Sequence, residues 1–388
     1  MMYEELLNKQ VRELKPSGIR KFFDLANTKK GVISLGVGEP DFATPWNICE
    51  AAIYSIKSKK THYTANAGLL ELRKEISKYL KRRYELNYDP NKNVLVTVGG
   101  SEAIDLSLRA IIEKGDEVIL LQPCYVAYEP AVILAGGIPK FIELKSENEF
   151  KLTKEELLAA ITPKTKAIIL NFPSNPTGGV MTRKDYEPLI PVLKEHNIIV
   201  ISDEIYAELS YEEKHCSPAN FEEIKDLVIL ISGFSKAFAM TGWRLGYLCT
   251  NETFLREILK IHQYIIMCAP TAAQYGAIEG LKNSQKYVDE MIEQYKLRRN
   301  YIVNGFNRIG LPTHLPHGAF YIFPCIKKTG LTSLEFCEKL LEEQNVACVP
   351  GSAFGEAGEG FIRVSYAYSI EEIKVAIEKI GYFMEQYL

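Results

Sequence analysis

Between residues 90 and 250 the chain of 388 residues repeats one unit: a short run rich in Val, Ile and Leu, a break, and a stretch of helical spacing. The apolar runs are Asn93 to Val98, Glu117 to Leu121, Ala167 to Leu170, Asn197 to Ser202 and Asp226 to Ile231, with a further helix read from Ala103 to Ile112. Strands that are apolar throughout need cover on both faces, and intervening helices supply it, so the repeat predicts an α/β fold with a mainly parallel sheet. Such sheets place ligands beyond the carboxyl ends of their strands. The residues following each run are therefore the candidate chemistry. After the first comes a glycine turn, Gly99 to Glu102, which would offer free N–H groups and a positive helix end to an anion. Gln122 to Tyr125, the proline-flanked Asn175 and Asp203 to Tyr206 follow the next three.

The last run leads into Ser232, Gly233, Phe234, Ser235 and Lys236, with Arg244 eight positions on. A lysine is ordinarily a solvated surface charge. Here Ser232 and Ser235 add hydroxyl donors, Gly233 permits close backbone approach, and Arg244 presents a planar fork suited to an anion. An amine beside a phosphate cradle suggests a lysine that takes pyridoxal phosphate as a Schiff base.

The run SGFSKAFAMTGWRLGY (Ser232 to Tyr247) closely resembles the lysine segment of class I/II pyridoxal-phosphate aminotransferases of fold type I. The branch it resembles contains the N-acetyl-diaminopimelate, aromatic and prokaryotic aspartate enzymes. LGVGEPDFATP (Leu35 to Pro45), HYTANAGLLELR (His62 to Arg73), VTVGGSEAID (Val96 to Asp105), NFPSNPTGG (Asn171 to Gly179), SDEIYAEL (Ser202 to Leu209) and GAFYIFP (Gly318 to Pro324) extend the resemblance over nearly the whole chain. It implies a seven-stranded sheet in a large domain (residues 45–281). Residues 1–44 would give an arm and part of a small α+β domain, which 282–388 complete.

The resemblance also implies roles. Lys236 carries the cofactor and moves the proton. Gly100, Ser101, Glu102, Ser232, Ser235 and Arg244 surround its phosphate, joined by Tyr63 from a second subunit of a homodimer. Tyr125 stacks on the ring, Asp203 pairs with the pyridine nitrogen, and Asn175 and Tyr206 meet the phenolic oxygen. Gly38, Asn175, Arg363 and Ile19 lie at the substrate. Read from the residues alone, bland alternatives remain: a core-capping Tyr63 or Tyr125, a turn at Gly38 or Asn175, a helix N-cap at Asp203, a structural salt bridge at Arg363.

The expected reaction is ping-pong amino transfer between L-amino acids and 2-oxo acids, with 2-oxoglutarate as acceptor. Relatives handling dicarboxylates carry a lysine where this chain has Ser101. The stretches SGIRKF, FKLT and HQY favour an N-acetyl-diaminopimelate-like donor, followed by an aromatic one. The same scaffold supports lyase chemistry, and a non-catalytic regulator is the rival of another class. A net charge of −3 gives nucleic acid or acidic membrane no electrostatic support as a partner. The charged amphipathic N-terminus lacks a signal-peptide core, so a cytoplasmic protein is expected. No metal-ligand spacing is present, and the eight scattered cysteines read as reduced, mostly buried thiols.

Overall fold

The computed structural model describes residues 3–14, 16 and 31–387. Strand β1 (Ile33–Ser34) lies outside the large sheet. That sheet contains β2 (Val94–Thr97), β3 (Glu117–Gln122), β4 (Ile138–Glu143), β5 (Thr165–Asn171), β6 (Ile199–Asp203), β7 (Val228–Gly233) and β8 (Gly246–Cys249). Its order is β2-β8-β7-β6-β5-β3-β4, and β8 alone runs antiparallel to its neighbours. The expected mainly parallel seven-stranded sheet is present.

Alternation along the strands builds two cores. Val118, Leu120, Ile169, Ile201 and Ile231 pack with Ile104 and Leu108 of the helix Gly99–Ile111 and Ile258 of Glu252–Ile265. Ile119, Leu121, Ile168, Val200 and Leu230 pack oppositely, with Leu72 and Ile76 of Leu70–Tyr84 and Ala277 of Thr271–Asn283. Burial on both faces explains why these runs carry no polar alternation.

A third cluster joins Leu35 to Ile302 and Phe306 of the helix Gln285–Arg308, Leu340 of Ser333–Gln344 and Ile380 of Ile370–Met384. Here lie β9 (Tyr321–Ile322), β10 (Val346–Ala347), β11 (Val349–Pro350) and β12 (Ile362–Ser365). β1 pairs with β10 in parallel, tying the N-terminal segment to the C-terminal part of the chain.

Four local expectations change. The glycine turn is the first turn of its helix, which begins at Gly99. Strands β4 and β8 went unread: β4 is a half-exposed edge strand, and β8 is a four-residue piece. Among the described residues of the arm, Glu4–Leu6 and Lys9–Glu13 are helical, with Leu6, Leu7 and Val11 exposed. All eight cysteines are free, but only Cys249, Cys337 and Cys348 are buried.

Candidate active site

The carboxyl ends of β5 and β6 deliver Asn171 and Asp203 to one cavity of about 600 Å³. The start of the helix Gly99–Ile111 brings Gly100, Ser101 and Ile104, the loop after β3 brings Tyr125, the start of the helix Tyr128–Leu134 brings Tyr128, and the loop after β7 brings Ser235, Lys236, Thr241 and Arg244. From the third cluster come Gly38, Tyr321 and Arg363. The site therefore lies where strand order reverses between β3 and β5, as expected for an open α/β sheet.

Lys236 is half-buried and donates from Nζ to the Gly38 carbonyl at 2.6 Å. Burial pulls its pKa down to about 8; Glu39 opposes the shift, and Arg363 and Arg244 add to it. Asp203 is pushed up to about 6 by burial, against the opposing bonds from Tyr128 and the Ile205 N–H. Tyr128 Oη donates to Asp203 Oδ2 at 2.6 Å. Asn171 donates to the Asp203 carbonyl at 3.0 Å and accepts from the Asn175 N–H at 3.0 Å. No helix follows Asp203, so it is not a helix N-cap.

Arg363 is 3% exposed. It donates to Asn175 Oδ1 at 2.9 Å and the Gly36 carbonyl at 2.5 Å, while its buried Nε lacks a partner among the described residues. No ion pair among the described residues includes it. A buried cation satisfied by neutral oxygens, with a spare N–H, is suited to receiving an anion. Arg244 approaches Gly99 so closely that a Cβ there would lie 2.8 Å from Nη2, and Gly99 also takes a φ of +77° that favours glycine.

Three expected residues stand outside this cavity. Ser232 Oγ donates to the Glu204 carbonyl at 3.2 Å. Glu102 turns back to accept the Val98 N–H at 2.5 Å and meet His262 Nδ1 at 2.8 Å. These two side chains support the walls rather than line them. Tyr63 is 80% exposed on the surface of the protomer, so it does not cap the core. Ile19 and the SGIRKF stretch lie outside the described residues.

The model of the family described as aminotransferase class I and II matches residues 30–380. The chain belongs to that family. A putative aminotransferase of Bacillus subtilis, YugH, is 51% identical over 98% of both chains. An aspartate aminotransferase of Pyrococcus abyssi is 47% identical, covering 94% of this chain and 95% of its own. The crystal structure of an aromatic aminotransferase from Pyrococcus horikoshii superposes with a TM-score of 0.90 at 43% identity, over 95% of this chain and 99% of that one.

This aminotransferase is therefore an enzyme of fold type I, and it acts on amino and oxo acids. Sequence reasoning missed Tyr128, Asn171 and Tyr321 in its cavity. Each had a signal: Tyr128 follows Tyr125 by one helical turn, Asn171 ends a strand, and Tyr321 stands in GAFYIFP.

Proposed function

We propose that this aminotransferase binds pyridoxal 5′-phosphate at Lys236 and transfers amino groups in two half-reactions. The donor is an L-amino acid of N-acetyl-diaminopimelate-like or aromatic type, and the acceptor is 2-oxoglutarate. The observation that carries the reading is the convergence of Lys236, Asp203 and Arg363, an amine, a carboxyl and a guanidinium, in one cavity.

The chain's groups fit that cofactor. Gly100, Ser101, Ser235 and the Arg244 fork would hold the phosphate at the positive end of the helix Gly99–Ile111. Tyr125 would cover the ring. Asn175 has its amide nitrogen and Tyr206 its hydroxyl available for the phenolic oxygen. When bound, the cofactor supplies a carbonyl for amine exchange and a ring that takes up electrons from the α-carbon.

Asp203, bonded by Tyr128, holds a carboxylate opposite the ring nitrogen; a cation there lowers its pKa from the raised value, and the carboxylate keeps the nitrogen protonated in return. Lys236 Nζ would take the proton from the substrate α-carbon and deliver it to the cofactor carbon on the far side of the shared nitrogen, the 1,3-shift that amino transfer requires. With a pKa near 8, about one amine in ten is uncharged at neutral pH, against roughly one in a thousand for an ordinary lysine. Gly38 and Arg363 fix the substrate α-carboxylate, Arg363 through the N–H groups it has to spare. With Lys236 and Arg244 assigned to the cofactor and Arg363 to the α-carboxylate, no further cation among the described residues lines the cavity for a distal carboxylate.

Tyr63 reaches the cofactor phosphate of the neighbouring subunit in a homodimer. The exposed Trp46, Tyr54, Ile56 and Tyr264 are the apolar side chains such a partner would cover. No helix among the described residues is long and apolar enough to cross a membrane.

Borohydride reduction of the holoenzyme and peptide mapping places a pyridoxyl group on Lys236; a label on another lysine overturns the mechanism. A panel of amino donors with 2-oxoglutarate ranks the substrates. Ammonia release in place of an amino product would make the enzyme a lyase, and no turnover would make it a regulator.

A further inference from the structure

We propose that Tyr321 is a positioning residue for the reaction: its hydroxyl donates to Tyr206, so that the Tyr206 proton is directed into the cavity. The inference rests on the cofactor reading above, in which Tyr206 faces an anionic phenolic oxygen.

The two hydroxyls lie 2.8 Å apart, and neither has another hydrogen-bond partner among the described residues. Both side chains are buried, Tyr321 to 1% and Tyr206 to 4% exposure. Two phenols joined by one hydrogen bond leave one proton over. If Tyr206 donates, the spare proton is on Tyr321, whose oxygen abuts Gly38: a Cβ built there would lie 2.6 Å from it. The Gly38 carbonyl accepts from Lys236 Nζ. If Tyr321 donates, the spare proton is on Tyr206, where an anionic oxygen in the cavity that both phenols line can accept it.

Charge favours the second arrangement. The Arg363 guanidinium lies over the Tyr321 ring, 4.6 Å from its centroid. A cation on that face withdraws electron density and makes the phenol a better donor. Burial raises the pKa of both tyrosines and Arg363 opposes the rise at both, being the largest influence after burial at Tyr321. A phenol that accepts a hydrogen bond is itself a stronger donor, so Tyr321 strengthens the bond Tyr206 makes to an anion. The same ring is a floor for the Arg363 fork, a contact that does not need the hydroxyl.

The test separates hydroxyl from ring. Purified holoenzymes of the wild type, Tyr321→Phe, Tyr206→Phe and the double variant are titrated with pH while the visible cofactor band is followed. Binding of 3-phenylpropionate, a carboxylate without an amine, is measured alongside. Tyr321→Phe should raise the titration midpoint by about 0.5 pH unit, as when a bond to an ionised group loses roughly a third of its strength. Affinity for 3-phenylpropionate should stay within about twofold because the ring remains beneath Arg363. In the Tyr206→Phe background the second substitution should add no shift, since the effect acts through Tyr206.

An unmoved midpoint in Tyr321→Phe, or the same shift with Tyr206 already replaced, overturns the proposal. A change confined to melting temperature has the same meaning, because a purely structural role moves stability and not the midpoint. If the wild type binds the cofactor without a titrating band, or borohydride labels a lysine other than Lys236, the cofactor reading fails and this inference falls with it. A normal wild-type titration with an unmoved Tyr321→Phe removes the Tyr321 role alone.

Discussion

Gly38 shows how one missing side chain sets the reach of another. Its carbonyl accepts from Lys236 while its Cα abuts the Tyr321 hydroxyl, so even a methyl group has no room. Gly38→Ala should therefore lower kcat/KM by roughly ten- to a hundredfold through misplacement of the amine. Gly38→Ala combined with Tyr321→Phe should recover part of that loss, because the clashing oxygen is gone; steady-state kinetics of both variants checks this. Asp203 gives a prediction of opposite sign to the usual carboxylate. Its folded pKa of about 6 lies above the ordinary value of 3.8, so in the apoprotein it takes stability away as pH rises from about 4 to 6. Asp203→Asn should leave apoprotein stability near wild type at pH 4 and exceed it by roughly 2–3 kcal/mol at pH 7. Denaturant unfolding across that range measures the gap. Cofactor affinity should fall in the same variant, since the ring nitrogen loses its counter-charge.

The helix Gly99–Ile111, the proposed anion cradle, is also a mechanically anchored element. Glu102 accepts the Val98 N–H just ahead of the helix and meets His262 on Glu252–Ile265, pinning the helix start from behind. The sequence placed Glu102 beside a phosphate because it follows the glycine pair; the fold turns its side chain away, since a residue in the first turn can reach back to an unsatisfied donor. Glu102→Ala should cost about 1–3 kcal/mol of stability and weaken cofactor retention, as a buried N–H and imidazole lose their acceptor. With saturating cofactor kcat should stay near wild type, because the carboxylate does not line the cavity. Thermal melts and cofactor release by dialysis distinguish the two effects.

The proposed homodimer gives the exposed Tyr63 its role. Mixing Lys236→Ala with Tyr63→Phe subunits creates heterodimers in which one of two sites carries both native residues. From two weakly active parents an equal mixture should reach about a quarter of wild-type activity per site. A mixture no better than the mean of its parents, or full activity in Tyr63→Phe alone, removes the shared site. The apolar runs of the chain were enough to determine the α/β class and the mainly parallel sheet, because strand burial is written in local composition, and the residues following those runs singled out Lys236, Asp203 and Asn175, because ligands gather at strand ends; Arg363 came from the family resemblance. The β1–β10 pairing, the Tyr128–Asp203 bond, the Tyr206–Tyr321 pair and the outward turn of Ser232 and Glu102 joined residues up to hundreds of positions apart or depended on side-chain direction. Local pattern carries no record of such contacts; they form only when the cores pack and each buried donor finds the acceptor that packing brings within reach.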